Sequence, residues 1–321
     1  SAAFWRKEQS MEIKNVVVAG GGVLGSQIAF QSAYKGFNVT VWVRSEGSID
    51  RAKPKFEVLK NPYLATLEAM KTNPAAYCRG LADDPKATPE QIDELKAQVV
   101  PAFEGIAFTT SYEEAARDAD LIIEAIAEDP QQKIAFYEEL AKHMPEKTIL
   151  VTNSSTMIPS MFAAATGRPE KYLALHFANE IWRNNTAEVM GHPGTDQAAY
   201  DQVVEFAAAI GMVPLKLHKE QPGYILNSML VPFLSAAEAL YANEVADPET
   251  IDKTWKLGTG APYGPFQILD IVGLTTAYNI VIMHPAAKDP TSTQGKIAAI
   301  LKEKIDAGKT GVNAGEGFYQ Y

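Results

Sequence analysis

The sequence predicts an α/β protein with a doubly wound, mostly parallel sheet domain followed by a smaller, all-helical C-terminal domain. Two observations support this fold class. Up to about residue 217, short apolar segments typical of strands alternate with helix-compatible segments, which is the pattern of parallel strands joined by right-handed crossovers. Beyond Gly223, apolar residues recur at helical spacing and no convincing strand pattern follows.

The predicted strands of the first domain are short runs of apolar and β-branched residues. They cover residues 16–19, 37–43, 105–110, 119–126, 148–152, 173–176 and 213–217, with helices predicted at 26–33 and 131–143. A polar, helix-compatible insertion at residues 49–100 is broken by Pro54, Pro62, Pro74 and Pro85. We expect the insertion to form helices that protrude from the sheet and stay outside the core.

The segment Gln221-Pro222-Gly223 is the clearest domain boundary, because proline and glycine together interrupt regular structure. We therefore expect an α/β domain at residues 12–220, including the insertion, and a helical domain at residues 221–321. Amphipathic helices are predicted within it at residues 225–241 and 248–257.

The composition is that of an ordinary globular protein of 321 residues, 46% hydrophobic and 21% charged. Cys78, the single cysteine, excludes an intramolecular disulfide and cysteine-rich zinc sites, and no metal site is expected. A net charge of −10 without basic clusters argues against nucleic-acid binding, and no apolar stretch is long enough for a membrane span. We expect a cytoplasmic protein that starts at Met11, with residues 1–10 an extension outside the fold.

The most informative motif is G-x-G-x-x-G at Gly20, Gly22 and Gly25, directly after the first apolar run and before a helix-compatible segment. The first glycine permits a tight turn, the second lets the backbone approach a pyrophosphate, and the third allows close packing of helix on strand. With Val23 and Leu24 at the start of the helix, strand, glycines, helix and second strand follow within about thirty residues. This Rossmann-type unit predicts a bound dinucleotide; the alternative is an ordinary glycine turn that binds nothing.

The second strand ends in Val43-Arg44-Ser45, without the acidic residue that accepts hydrogen bonds from the ribose hydroxyls of NAD. An arginine at this place pairs well with a 2′-phosphate, because its planar guanidinium matches phosphate geometry. The cofactor is thus expected to be NAD(P), with NADP favoured through Arg44 and Ser45. In the alternative interpretation Arg44 is a surface residue, and Glu46 or Asp50 binds the ribose.

A histidine and a carboxylate lie where a nicotinamide would find its reaction partners. His176 ends one predicted strand and Glu188 follows twelve residues later. A histidine near neutrality can exchange a proton with a hydroxyl group, and a carboxylate on its other nitrogen fixes the tautomer. From these residues alone, His176 could equally be a buried, satisfied histidine and Glu188 a surface charge.

Several motifs, taken in order, resemble the L-3-hydroxyacyl-CoA dehydrogenase family. They are G-G-G-V-L-G, E-A-I-A-E-D, N-S-S, L-H-F-A-N, P-G-Y-I-L-N-S-M-L-V-P, G-P-F-Q-I-L-D-I-V-G-L and G-E-G-F-Y-Q-Y, between residues 16 and 321. Within the family, A-L-H-F-A-N-E-I-W-R-N-N-T-A-E-V-M-G and A-D-P-E-T-I-D-K-T-W-K-L-G-T-G-A-P resemble the diketoreductase branch, which reduces diketo esters. The resemblance implies an NAD(P)-dependent oxidoreductase that interconverts 3-hydroxy and 3-keto groups by hydride transfer.

The resemblance also implies roles for individual residues. His176 and Glu188 match the catalytic pair of the family, while Ser155 and Asn227 match the groups that bind the substrate oxygen and orient substrate and histidine. The positions that match cofactor contacts around the nicotinamide are Glu128, Lys133, Asn153, Asn179 and, near the C-terminus, Lys309. A hydroxyl and an amide polarise a carbonyl group without adding charge.

Two departures from the family bear on the substrate. Trp182, Arg183, Asn184 and Asn185 replace apolar residues before Glu188, which predicts a more polar substrate pocket unless the loop faces solvent. The insertion at residues 49–100, which carries coenzyme A contacts in the acyl-CoA enzymes, is the most divergent part. A 3-hydroxyacyl-CoA and a β-keto or diketo acid or ester therefore both stay open as substrates.

Two further expectations follow from the resemblance. Family members dimerise through the helical domain, and the apolar segments at residues 229–234 and 268–272 exceed what so small a domain can readily hide, so a homodimer is expected. A non-catalytic, crystallin-like or cofactor-sensing protein on the same scaffold is the rival class, and it predicts the loss of a catalytic residue. All four are present, which favours the enzyme.

Overall fold

A computed structural model of the chain describes residues 12–321, so the expected start at Met11 and extension at residues 1–10 lie outside the described residues. The chain divides into two compact units, one ending at Ile225 and the other covering Leu226–Tyr321. None of the helices in the described part combines the length and apolarity that a bilayer span requires.

One eight-stranded sheet organises the described part of the first unit. Its strands are β1 (Asn15–Ala19), β2 (Asn38–Trp42), β3 (Ala107–Thr109), β4 (Leu121–Glu124), β5 (Ile149–Thr152), β6 (Tyr172–Phe177), β7 (Thr186–Met190) and β8 (Val213–Leu217). Their order is β3-β2-β1-β4-β5-β6-β7-β8, with the first six parallel, β7 antiparallel to β6, and β8 parallel to β7. The order reverses between β1 and β4, which is where ligands bind in such sheets.

Helices cover both faces of this sheet. They are α1 (Val23–Tyr34), α2 (Glu46–Met70), α3 (Pro89–Glu104), α4 (Tyr112–Ala116), α5 (Pro130–Ala141) and α6 (Gln197–Ala209). One apolar cluster contains Ile28 and Phe206, and another contains Phe136 and Leu150, so alternate side chains of the central strands are buried in two layers. The predicted fold class, a doubly wound Rossmann-type sheet followed by a helical part, is confirmed.

The insertion at residues 49–100 differs from the expectation. Pro54 and Pro62 lie inside one continuous helix, α2, instead of breaking it. Its buried face, which includes Phe56 and Tyr63, belongs to the larger core cluster together with Ile92 and Val99 of α3. The expectation that these helices stay outside the core was wrong, because their polar residues line only the solvent side and obscure an apolar stripe at helical spacing.

The second unit is helical. It contains α7 (Leu226–Ala242), α8 (Pro248–Thr259), α9 (Pro265–Val272), α10 (Leu274–Val281) and α11 (Thr293–Asp306). Phe266 and Leu269 are fully buried at its centre. Two buried carboxylates tie its segments together: Asp252 accepts hydrogen bonds from the backbone N–H groups that begin α9, and Asp270 accepts from those of Phe318 and Tyr319.

Candidate active site

The glycine loop lies between β1 and α1, at the point where the strand order reverses. Gly20 has φ +122°, and a Cβ there would collide with the backbone carbonyl of Ala125, while one at Gly25 would collide with the carbonyl of Gly20. Around Gly22, in contrast, the space is open for 4 Å, and the residue gives α1 no side-chain cap. The first N–H groups of α1 are therefore available to a phosphate, so the loop fits a dinucleotide.

A cleft of about 650 Å³ runs from this loop across the ends of β1, β2 and β4. Its lining is Gly20, Gly21, Gly22, Trp42, Val43, Arg44, Ser48, Tyr112, Ala125, Ile126, Ala127, Gln132, Ala135 and Phe136. Arg44 is the one charged side chain among these lining residues. Glu46 and Asp50, the alternative ribose ligands, do not line the cleft, and Ser45 caps α2 by accepting a hydrogen bond from the Ser48 N–H.

The β6–β7 pairing brings His176 and Glu188 together. The two residues are direct partners in the antiparallel register, so their side chains share one face of the sheet. His176 Nδ1 lies 3.1 Å from Glu188 Oε1, and the exposed fractions of the two side chains are 11% and 4%. Because an ionised carboxylate only accepts hydrogen bonds, the contact with Glu188 favours a proton on Nδ1 and leaves Nε2 as the atom that can exchange a proton with a ligand.

Ser155, in the loop after β5, completes a short relay. Its Oγ lies 3.3 Å from His176 Nε2, so Ser155, His176 and Glu188 form one continuous line of polar atoms. The line lies at the carboxyl end of the parallel strands β5 and β6, on the same edge of the sheet as the glycine loop. The arrangement can move a proton to or from an oxygen bound next to Nε2.

Two residues that sequence reasoning did not select hold this pair in place. The Tyr224 ring stacks on the His176 imidazole with the centroids 4.4 Å apart and the planes 11° apart. The Ile225 N–H donates a hydrogen bond of 2.8 Å to Glu188 Oε2. A tyrosine after Pro-Gly carries no local signal of such a contact, because the contact depends on where the chain crosses the sheet.

A buried network lies under the loop that carries Ser155. Lys133 Nζ lies 2.6 Å from Glu124 Oε2 and 3.1 Å from Glu128 Oε1, and neither Lys133 nor Glu124 has any exposed surface. Tyr137 and Thr152 donate hydrogen bonds to the other oxygen of Glu124. The ammonium group of Lys133 is thus enclosed by two carboxylates, and its assignment to the cofactor stays a prediction.

Glu128 itself is accessible and connects this network to the loop. Ser154 and Thr156 donate hydrogen bonds to Glu128 Oε2 at 2.9 and 3.0 Å. Burial alone would raise the pKa of the Glu128 carboxyl, but the Lys133 ammonium and these hydrogen bonds outweigh it, so the pKa lies below its ordinary value. Glu128 is therefore ionised near neutral pH and presents an acceptor next to Ser155.

The other residues that the sequence predicted to contact the cofactor make backbone and side-chain contacts within the protein. Asn153 is buried and accepts a hydrogen bond from the Phe177 N–H. Asn179 is exposed and accepts one from Gln27. Of the residues that follow Gly22, Val23 is exposed and Leu24 packs partly against the core.

The loop from Trp182 to Asn185 does not form the expected polar pocket. Trp182 is buried in the main core, its ring 5.3 Å from that of Tyr63. Asn184 and Asn185 donate hydrogen bonds to backbone carbonyls of the same loop, and exposed Arg183 lines a separate cavity beside Cys78. The polar residues shape the loop and dock it on the insertion helices.

Two selected residues belong to the helical unit. Asn227 lies in the first turn of α7 and is partly buried. Lys309 follows α11, and its Nζ lies 3.5 Å from Glu316 Oε1. Their assignment to the substrate and to the cofactor stays a prediction.

The fold and the site together define a class: an oxidoreductase that uses a dinucleotide on a doubly wound α/β domain. Family models for the NAD binding domain and the C-terminal domain of 3-hydroxyacyl-CoA dehydrogenase match residues 15–221 and 223–321. The chain belongs to the 3-hydroxyacyl-CoA dehydrogenase family, as its motifs predicted.

Similar proteins agree with this membership. The mitochondrial hydroxyacyl-coenzyme A dehydrogenase of Sus scrofa is 31% identical over 310 residues, which cover 96% of this chain and 91% of that protein. A 3-hydroxybutyryl-CoA dehydrogenase of Clostridioides difficile is 31% identical over 95% of this chain and 99% of its own length. A solved diketoreductase, described as catalysing the conversion of dicarbonyl compounds, is 49% identical with a TM-score of 0.81, over 96% of this chain and 99% of that one. The resemblance to the diketoreductase branch is confirmed.

Proposed function

We propose that this enzyme reduces a keto group of a free diketo acid or ester, rather than of a 3-ketoacyl-CoA, to a hydroxyl group, with His176 as the proton donor. The proposal rests on the relay of Ser155, His176 and Glu188, which lies at the same edge of the sheet as the glycine loop. The diketoreductase at 49% identity supports a free diketo substrate over a CoA thioester, since the hydroxyacyl-CoA dehydrogenase of Sus scrofa is 31% identical.

Each residue of the relay has one task. A bound reduced nicotinamide supplies the hydride that reaches the carbonyl carbon. His176 gives the proton on Nε2 to the oxygen that becomes the hydroxyl group, and it takes that proton back in the reverse reaction. Glu188 keeps Nδ1 protonated and stabilises the imidazolium that precedes the transfer.

The substrate oxygen needs neutral hydrogen-bond donors before it receives the proton. Ser155 Oγ, 3.3 Å from Nε2, is placed to bind the same oxygen, and Asn227 is proposed to orient the substrate through its side-chain amide. The dinucleotide is proposed to bind along Gly20, Gly22, Val23, Leu24 and Gly25, with Glu128, Asn153 and Asn179 towards the nicotinamide end. The backbone N–H groups at the N-terminus of α1 would hold its phosphates.

We infer that the cofactor is NADP rather than NAD. Arg44 is exposed beside the cleft at the end of β2, where a carboxylate would serve NAD and would repel a 2′-phosphate. The guanidinium group matches a phosphate with two parallel hydrogen bonds. The preference therefore depends on one side chain.

One kinetic experiment tests substrate and cofactor together. Oxidation of NADPH and NADH is followed at 340 nm with a β,δ-diketo ester and with acetoacetyl-CoA, for the wild type and for Arg44→Ala. We expect the diketo ester to give the higher kcat/KM, and NADPH to be preferred by the wild type. Arg44→Ala is expected to raise KM for NADPH by about 10- to 100-fold, the effect of one charge-assisted contact of about 1.5–3 kcal/mol, and to leave NADH unchanged.

Each outcome of that experiment has a separate meaning. Arg117→Ala, at the exposed end of α4 and outside the cleft lining, is the matched control and is expected to leave the cofactor preference unchanged. Unchanged use of NADPH by Arg44→Ala removes Arg44 and with it the NADP preference. A higher kcat/KM for acetoacetyl-CoA overturns the free diketo substrate in favour of a CoA thioester. No turnover with either compound counts against the enzyme in favour of a cofactor-sensing protein.

We further infer that two copies of the chain associate through the helical unit. Large apolar side chains are exposed there, among them Leu257 at 85%, Met283 at 80% and Met229 at 62%. Exposed apolar surface of this kind marks an interaction site, and a twofold pair is the commonest assembly.

We expect light scattering at micromolar concentration to give twice the chain mass for the wild type. The double variant Leu257→Glu/Met283→Glu is expected to give the mass of one chain. A monomeric wild type would contradict the inference.

A further inference from the structure

Tyr224 combines features that packing alone does not explain. It is 2% exposed and has φ +54°, a backbone conformation that costs free energy for any residue with a Cβ and especially for a bulky one. Such strain persists where surrounding contacts impose it, and it concentrates at functional sites. The preceding Gly223, also at positive φ, completes a sharp bend in the segment between β8 and α7.

The contacts of Tyr224 explain why the bend is held. Its hydroxyl group donates a hydrogen bond of 2.7 Å to the carbonyl oxygen of Ser154, the residue before Ser155. Its ring covers the His176 imidazole almost in parallel, and the next residue, Ile225, donates its N–H to Glu188. One dipeptide therefore contacts the Ser155 loop, the histidine and the carboxylate.

We propose that Tyr224 is a positioning residue for His176: its ring fixes the plane in which Nε2 faces Ser155 and favours the imidazolium form of the histidine. The inference rests on the proposed role of His176. An aromatic face attracts a cation placed over it, because the ring quadrupole is negative on that side. The neutral and the charged imidazole both fit the stacked position, but only the charged form gains this attraction.

The hydroxyl group has a separate task. Burial, followed by the nearby carboxylates Glu128, Glu188 and Glu124, raises the pKa of the Tyr224 phenol, so it stays protonated and keeps donating to the Ser154 carbonyl. Glu188 faces the imidazole from β7 and the Tyr224 ring stacks on it, while Glu128 accepts a hydrogen bond from Ser154 and Glu124 accepts one from Thr152. The hydroxyl group thus adds a contact to the loop that carries Ser155, whereas the ring by itself makes the contact with the imidazole.

The protonation state of His176 determines in which direction the rate of each reaction changes with pH. Keto reduction needs the protonated histidine, so its rate falls as the pH rises through the midpoint of the profile, whereas oxidation of the hydroxyl compound needs the neutral form and gains rate there. Removing the ring favours the neutral form and moves both midpoints to lower pH. Stacking that favours the imidazolium over the neutral imidazole by about threefold to tenfold moves the two midpoints by about half to one pH unit.

Three variants separate the parts of this proposal. Tyr224→Leu removes the ring, Tyr224→Phe keeps it without the hydroxyl group, and Tyr224→pentafluorophenylalanine keeps the shape of phenylalanine but reverses the ring quadrupole. The pH profiles of kcat/KM in both directions and the dissociation constant of the reduced dinucleotide are measured for each. We expect Leu and pentafluorophenylalanine to move the midpoints down, Phe to leave them in place, and all three to bind the dinucleotide as the wild type does.

The two aromatic replacements keep the test valid if Tyr224→Leu does not fold, because both keep a six-membered ring and differ chiefly in its charge distribution. Identical pH profiles for Tyr224→Phe and Tyr224→pentafluorophenylalanine overturn the role of the ring, as does an unchanged profile in a folded Tyr224→Leu. His176→Gln distinguishes the two proposals. If it keeps full turnover, the proposed function fails; if it is inactive while the Tyr224 variants keep the wild-type profile, the positioning role alone fails.

Discussion

Replacing His176 with glutamine is expected to lower kcat by about 10²- to 10⁴-fold, the usual contribution of a general acid or base. Glutamine fills a similar space and can still accept or donate hydrogen bonds, but it cannot deliver a proton to the reacting oxygen. Glu188 keeps its hydrogen bond from the Ile225 N–H, so the β6–β7 pairing is expected to survive. Stopped-flow measurement of one turnover with bound NADPH reports the loss directly.

His218→Gln is the matched control. His218 is an exposed histidine of the first unit, between β8 and Tyr224, and its replacement is expected to leave kcat unchanged. The dissociation constant of the cofactor is expected to stay within about threefold for both variants, because His176 lies away from the glycine loop cleft. Turnover of His176→Gln equal to that of His218→Gln would eliminate the proton relay and with it the proposed reaction.

Replacing Lys133 with methionine is expected to lower the free energy of unfolding by about 3–5 kcal/mol, the cost of leaving one charge of a buried pair alone. Glu124 would lose its 2.6 Å partner in a place without solvent contact, although Tyr137 and Thr152 would still donate to it. The double replacement Glu124→Met/Lys133→Met removes both charges and is expected to recover more than half of the loss, so the two effects are not additive. Urea unfolding measures all three free energies.

Lys142→Met is the control for this experiment. Lys142 follows the same helix, α5, and its side chain is 68% exposed with a 2.9 Å contact to Glu139. Exposed pairs contribute little, so we expect a change below about 0.5 kcal/mol. If Lys133→Met is as stable as Lys142→Met but binds the dinucleotide about tenfold more weakly, Lys133 is a direct cofactor contact and its structural role is refuted.

The parts of the fold that depend on local periodicity could be predicted from the sequence. The strands β1, β4 and β5 each contain three or more consecutive apolar residues, which is typical of parallel strands buried on both faces. β7 was not predicted as a strand, since Thr186 to Met190 includes a glutamate in a short segment after a loop. The insertion was misjudged for a related reason: Pro54 and Pro62 occur in α2 without ending it, because packing of its apolar face against the core compensates for the lost backbone hydrogen bonds.

The site residues also divide into those that the local sequence predicts and those that it does not. The glycine loop could be predicted because Gly20 and Gly25 leave no room for a Cβ and Gly22 keeps the space in front of α1 open. Arg44 could be predicted because its place at the end of a strand is set by the residues just before it. His176 and Glu188 could be selected only together with the family resemblance. Trp182 was misassigned to a pocket, since an aromatic residue in a loop has no sequence signal that separates docking on a core from lining a cleft.

The sequence by itself determined the sheet domain, the dinucleotide loop and the chemical groups available for proton transfer, because backbone propensity, apolar spacing and residue chemistry act over a few neighbouring positions. Only the tertiary structure decided what those groups touch. The antiparallel register of β6 and β7 placed Glu188 on the histidine, the bend at Tyr224 carried its ring to the same histidine, and the core enclosed Lys133 between two carboxylates. Tyr224 and Ser154 are far apart in the sequence, and their contact depends on the strand register and on the path of the chain over the sheet. The packing of the whole domain determines both.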